Sequence, residues 1–142
     1  MFTRREQSMP ESLSGDLLTL KRTIRRELED ADQARIEGNE GRARVCARRA
    51  AGWAVSFTRS LNEEREIEAN AYEMLQWLAQ QADTPDDVRA AAARLTARVS
   101  LDHTLPFPED PLDDARMIVE ALLGKNWTEM GEAQGSGNST LT

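Results

Sequence analysis

Apolar residues recur along this chain at spacings of three and four, the repeat of one face of an α-helix. Leu13, Leu17, Leu20, Ile24, Leu28, Ala31 and Arg35 carry that stripe for about six turns. Ser12 or Ser14 offers an N-cap before it, and Gly38-Asn39-Glu40-Gly41 breaks it. A second stripe over residues 41–61 joins Ala43, Ala47, Ala50, Ala54, Phe57 and Leu61, flanked by Cys46 and Trp53. So short a connection makes the second helix antiparallel to the first. Four alanines on one face admit a close neighbour, which predicts that this helix is the most buried element. Gly52 lies on the opposite side of the same wheel. A glycine costs about 1 kcal/mol relative to alanine in a helix interior, so a further helix packing against it is expected.

Ser60-Leu61-Asn62-Glu63 matches a capping box and predicts a turn, with a single long helix to residue 82 as the alternative. The third stripe is Ile67, Ala71, Met74, Leu75, Leu78 and Ala82, with Tyr72 and Trp77 beside it. Thr84-Pro85-Asp86-Asp87 then offers an N-cap threonine, a proline at the first helical position and two carboxylates facing the positive helix end. Val88, Ala91, Ala92, Leu95 and Val99 form the fourth stripe. Residues 101–111 contain three prolines and are not helical throughout. Asp110-Pro111 repeats the start signal, and the fifth helix runs on Ala115, Ile118, Val119 and Leu122 to the stop at Gly124. The fold class is therefore all-α. The expectation is an antiparallel, up-and-down bundle of about five helices over residues 12–126, between a flexible arm at 1–11 and a flexible tail at 127–142.

Composition agrees. Apolar residues make up 39% of the 142, mostly Ala, Leu and Val, and aromatics only 5%, which favours helix over sheet. The single cysteine, Cys46, excludes an intramolecular disulfide and any cysteine-based zinc site. No metal or cofactor is expected. The opening residues lack an apolar core of signal-peptide length, and no window approaches the ~18 apolar residues of a membrane span. A cytoplasmic protein with no membrane partner is the expectation.

Charge is divided unevenly. Residues 1–61 hold 12 of the 18 basic groups and 9 of the 25 acidic ones, whereas residues 62–142 hold 6 and 16. Sixteen of the cations are arginine, whose planar fork matches phosphate or carboxylate. The densest group is Arg42, Arg44, Arg48 and Arg49, joined by Arg59, and no acid interrupts the stretch between Gly41 and Leu61. With the amide donors of a helix N-terminus close by, these residues are a candidate phosphate or nucleotide site. Arg44 and Arg48 fall on one flank of the wheel and Arg42 and Arg49 on the other. Pairing with Glu37, Glu40 or the acidic third helix is the competing expectation. The acidic balance of the whole chain opposes strong non-specific binding of nucleic acid.

The run from Ala34 to Gly52, an alanine-rich helix end, a glycine-containing turn and a second helix with a doubled Ala-Ala, resembles the first two helices of HEPN (higher eukaryotes and prokaryotes nucleotide-binding) domains. Asn70-Ala-Tyr-Glu-Met-Leu-Gln-Trp-Leu78 is similar to their third helix, and Pro85 to Leu123 to the remainder. Where many members carry an Arg-Tyr-Pro-Asp loop, this chain has Pro106-Phe107-Pro108-Glu109. The resemblance implies a module that binds a nucleotide, a nucleic acid or a protein partner. It further implies a homodimer, and a small nucleotidyltransferase as partner. Ribonuclease members use an arginine and a histidine four to six residues apart, and Arg98 and His103 satisfy that spacing. There the histidine would take a proton from a 2′-hydroxyl and the arginine would steady the phosphorane. The family's polar residue after the arginine is Val99 here. A helical adaptor acting only by association is a third reading. Trp53, Trp77 and Trp127, set beside or beyond the apolar stripes, suit a homodimer interface.

Overall fold

The computed structural model describes residues 16–63, 70–97 and 107–129. These residues hold five helices and no strand: α1 (Asp16–Ile36), α2 (Glu40–Glu63), α3 (Ala71–Ala79), α4 (Asp86–Leu95) and α5 (Pro111–Leu123). The chain is an all-α bundle, and none of its described helices is long and apolar enough to cross a membrane. The arm at 1–11, the Ser12 and Ser14 caps, Leu13, Ile67 and Val99 lie outside the described residues.

Helix α1 ends where its stripe stops. Gly38 takes a φ of 83°, the Gly38 amide donates to the Arg35 carbonyl, and the Asn39 amide donates to that of Ala34. This doubled closure uses up carbonyls that the helix end would leave bare. Asn39 then opens α2, its Oδ1 accepting from the Arg42 amide at 3.0 Å. The hairpin is antiparallel, with Arg35 bonding Glu40 near the turn and Arg49 bonding Glu27 two turns farther out. As the alanine stripe predicts, α2 is the central element, packed against α1, α3 and α5. Ala43, Ala47, Ala50, Ala51 and Ala54 are fully buried. Leu61, expected on the inner stripe, is instead 54% exposed. In the register that pairs Glu27 with Arg49, Leu61 stands past the first residue of α1 that the structure describes.

The Ser60 capping box does not form. Helix α2 runs on to Glu63, and the Ser60 hydroxyl donates back to the Phe57 carbonyl at 2.7 Å. The break lies at Asn70, which is extended and accepts from the Glu73 amide at 3.0 Å. Helices α2 and α3 are therefore separate, and α3 stops at Ala79, leaving Ala82 exposed. Gly52 packs against Ala71, while Arg59 stacks over Trp77 at 4.4 Å. The two contacts advance together, so α3 runs in the same sense as α2, the one departure from strict up-and-down alternation. Helix α4 returns along α3, and α5 along α4, where Arg94 binds Asp114 through bonds of 2.9 and 2.8 Å.

Pro85, rather than Thr84, occupies the cap position of α4, and no side chain caps this helix. Its carbonyl accepts from the Val88 and Arg89 amides, while Asp86 and Asp87 face the positive end. At α5 the expected signal holds: Asp110 caps with its carboxylate on the Leu112 amide, and Pro111 follows. Trp127, expected to open the tail, turns back after Gly124 and is only 5% exposed. Its large apolar ring closes the end of the core, so Trp127 belongs to the bundle rather than to a tail.

Asp110 also receives two bonds from Arg35, at 2.7 and 3.0 Å, which tie α1 to α5. The Arg35 guanidinium, aided by the Leu112 amide, holds this carboxyl below its ordinary range against the opposing effect of burial. An acid whose folded value is depressed adds stability above its unfolded value and loses it as pH falls through the folded one. Both side chains are about one third exposed, so screening keeps the contribution small. Asp110→Asn, which keeps a capping oxygen, is expected to lower stability at pH 7 by about 0.5–1 kcal/mol. Urea midpoints of the two proteins should converge as pH falls below the ordinary carboxyl value of 3.8.

Candidate functional site

The helix wheel's division of the arginines is realised in space. Arg44 and Arg48 turn inward, toward the C-terminal end of α4. One Arg44 nitrogen (Nη2) donates to the carbonyls of Arg94, Leu95 and Ala97, and Arg48 Nε donates to that of Leu95 at 2.9 Å. Burial, together with Arg48 for Arg44, pushes both guanidiniums below their ordinary values. These two residues cap a helix. The structure does not bring them together with Arg42 and Arg49: Arg44 Nη2 and Arg48 Nε donate to backbone carbonyls, where two cations also meet the negative end of α4. Arg59, the fifth member, stacks on Trp77 instead.

Arg42 and Arg49 face the other way, over α1. There they meet Arg22 and Arg26 across a groove of about 470 Å3. Arg22 and Arg26 lie one turn apart on α1, so their side chains point the same way. The antiparallel register sets Arg49 beside Glu27 and Arg26, with Arg42 nearer the turn and Arg22 farther from it, so the four cations are spread along the groove. Thr19 and Thr23 supply hydroxyls along one wall, and Cys46 lines the groove below. Burial pushes the Cys46 thiol up, so it is a neutral, small apolar residue there. Two acids complete the lining, Glu27 and Asp30, which leaves the groove with two net positive charges. Among the described residues Arg49 alone of the four cations is placed in an ion pair, with Glu27 at 2.9 Å.

Glu27 is the unusual member. Its side chain is 10% exposed while that of Arg49 is 57% exposed. Burial raises the Glu27 pKa, Arg49 partly reverses this, and Asp30 adds to the rise. The sign is opposite to that of Asp110. A raised folded value favours the folded state at low pH, and that contribution disappears as pH rises through it.

Sequence inspection finds Arg42 and Arg49 but misses Arg22, Arg26 and Glu27. They sit on another helix, between stripe positions. The signal that finds them is the tight Gly38-Asn39 turn, which fixes which residues of α1 stand opposite α2. Arg98 and His103, the candidate ribonuclease pair, lie outside the described residues. Of the tryptophans expected at a homodimer interface, Trp127 is in the core, and Trp53 and Trp77 are partly buried against it. The described residues hold no group of acids, cysteine or histidine able to bind a metal ion. Comparison of the chain with protein-family models, curated proteins and solved structures finds no match.

Proposed function

We propose that this chain is a HEPN-like, non-catalytic binding module whose α1–α2 groove receives a phosphate group of a nucleotide or of RNA. One observation carries the proposal: four arginines from two helices line one groove whose acids neutralise only half their charge. Guanidiniums grip phosphate oxygens through paired donors, and the hydroxyls of Thr19 and Thr23 add further donors. Among the described residues no aromatic side chain lines the groove, so contact is with the phosphate and sugar rather than through base stacking. Weak base preference and steep salt dependence follow. The net charge of −7 keeps affinity moderate.

The test is calorimetric titration with uridine monophosphate and with a short oligouridylate at low and physiological salt. The first probe reads capture of a single phosphate, the second tracking of an RNA backbone. Arg26 and Arg42 are exposed, so Arg26→Ala/Arg42→Ala should fold normally. The double variant is expected to bind the favoured probe at least about tenfold more weakly, with a salt slope for RNA smaller by about 1 for each arginine removed. Unchanged affinity would show that the groove is not the binding site.

A further inference from the structure

The groove already contains an anion of its own. Glu27 holds Arg49 at 2.9 Å from a nearly enclosed position, while the arginine's length and exposure leave it free to swing outward. The groups facing Glu27 are Arg22, Arg26 and Asp30 from α1, and Arg42, Cys46 and Arg49 from α2. An entering anion needs Arg49, and taking it strips a buried carboxylate of its one direct ion-pair partner among the described residues. We infer that Glu27 is a proton-operated gate: it competes with anionic ligands for Arg49 and yields by taking up a proton when a ligand displaces it.

The proposal rests on the groove being a phosphate site. The proton balance is simple. The ligand arrives as an anion, Arg49 moves from Glu27 to the ligand, and one proton from solvent bonds to a Glu27 carboxylate oxygen. Two effects drive that transfer in the same direction: loss of the Arg49 charge and arrival of a like charge at close range. Burial supplies a third, because the ionised form is already disfavoured before ligand arrives. Linkage is reciprocal, so a ligand that raises the proton affinity of Glu27 tenfold binds tenfold more tightly once Glu27 is protonated. Affinity therefore rises as pH falls, and Asp30, which lines the same groove but is in no ion pair among the described residues, serves as the control.

The experiment uses the full chain and two probes whose charge stays constant from about pH 5 to about pH 8, inorganic sulfate and a short oligouridylate. Affinity and proton uptake are measured in buffers of different ionisation enthalpy for wild type, Glu27→Gln and Asp30→Asn. Glutamine has the shape of the protonated acid, and a thermal melt confirms that the variant folds. Glu27→Gln is expected to bind about tenfold more tightly than wild type near pH 7.5, to converge with it as pH falls, and to take up no proton at the groove. Asp30→Asn should retain the wild-type uptake. Equal affinity and equal pH slope in wild type and Glu27→Gln, with both binding, would overturn the gate and leave the groove standing. Loss of uptake in Asp30→Asn alone would also overturn it. Failure of wild type and Glu27→Gln to bind either probe would overturn the groove and the gate with it.

Discussion

Gly52→Ala is expected to destabilise the bundle by about 2 kcal/mol net, although alanine is the better helix former. A Cβ on Gly52 would stand 2.4 Å from the Ala71 Cβ and 2.6 Å from its Cα. Neither is the far end of a flexible side chain, so relief requires α2 and α3 to separate along their length. Overpacking of this kind costs up to about 3 kcal/mol, and helix propensity returns about 1. The melting temperature should fall by roughly 6–10 °C for a domain of this size. Gly41→Ala is the control, because its Cβ meets nothing closer than 3.8 Å and should leave the protein unchanged or slightly more stable. Equal melting temperatures for the two variants would mean that α3 does not dock on this face.

Arg44→Leu has the second largest expected effect, a loss of about 2 kcal/mol. Leucine preserves much of the buried apolar volume, so the change reports on polar contacts rather than on a cavity. The variant removes every donor that Arg44 brings to Arg94, Leu95 and Ala97. Arg48 continues to serve the Leu95 carbonyl, and the Ala97 amide continues to serve that of Arg94. The Ala97 carbonyl, bonded at 2.6 Å, is the main casualty. A buried acceptor left bare costs about 1–3 kcal/mol and this part-buried one nearer the lower figure, and a charged donor at a helix C-terminus is lost as well. Arg44→Lys should recover only part of this, because an ammonium presents its donors from one point rather than from a planar fork. Urea unfolding of the three proteins measures the series. Full stability in Arg44→Leu would mean that the desolvation of the guanidinium offsets all its bonds.

Elements whose cause is local were legible in the chain. Asp110-Pro111, Gly38-Asn39 and the alanine stripe act within a few residues, and each does what its chemistry predicts. The second helix boundary was ambiguous between the Ser60 box and one long helix to residue 82, and the cap that forms is at neither, but at Asn70. Serine satisfies itself on the helix it belongs to, whereas Asn70 lies where Gly52 admits Ala71, and that packing is not local. The arginine cluster shows the same limit. Four cations in eight residues look like one site, but helical geometry sends them two ways. The halves then find different partners, one on α4 and the other on α1. Nothing near Arg44 in the sequence announces a partner some fifty residues away.

The arginines that brace α4 and α5 have a consequence for what places those two helices. Arg44 and Arg48 fasten the backbone up to Ala97, and Arg35 fastens it again at Asp110. All three anchors belong to the α1–α2 hairpin, so both ends of the intervening stretch are moored to one rigid body. The hairpin, whose own two helices pair locally in sequence, therefore sets where α4 ends and where α5 begins, two points distant from it in the chain.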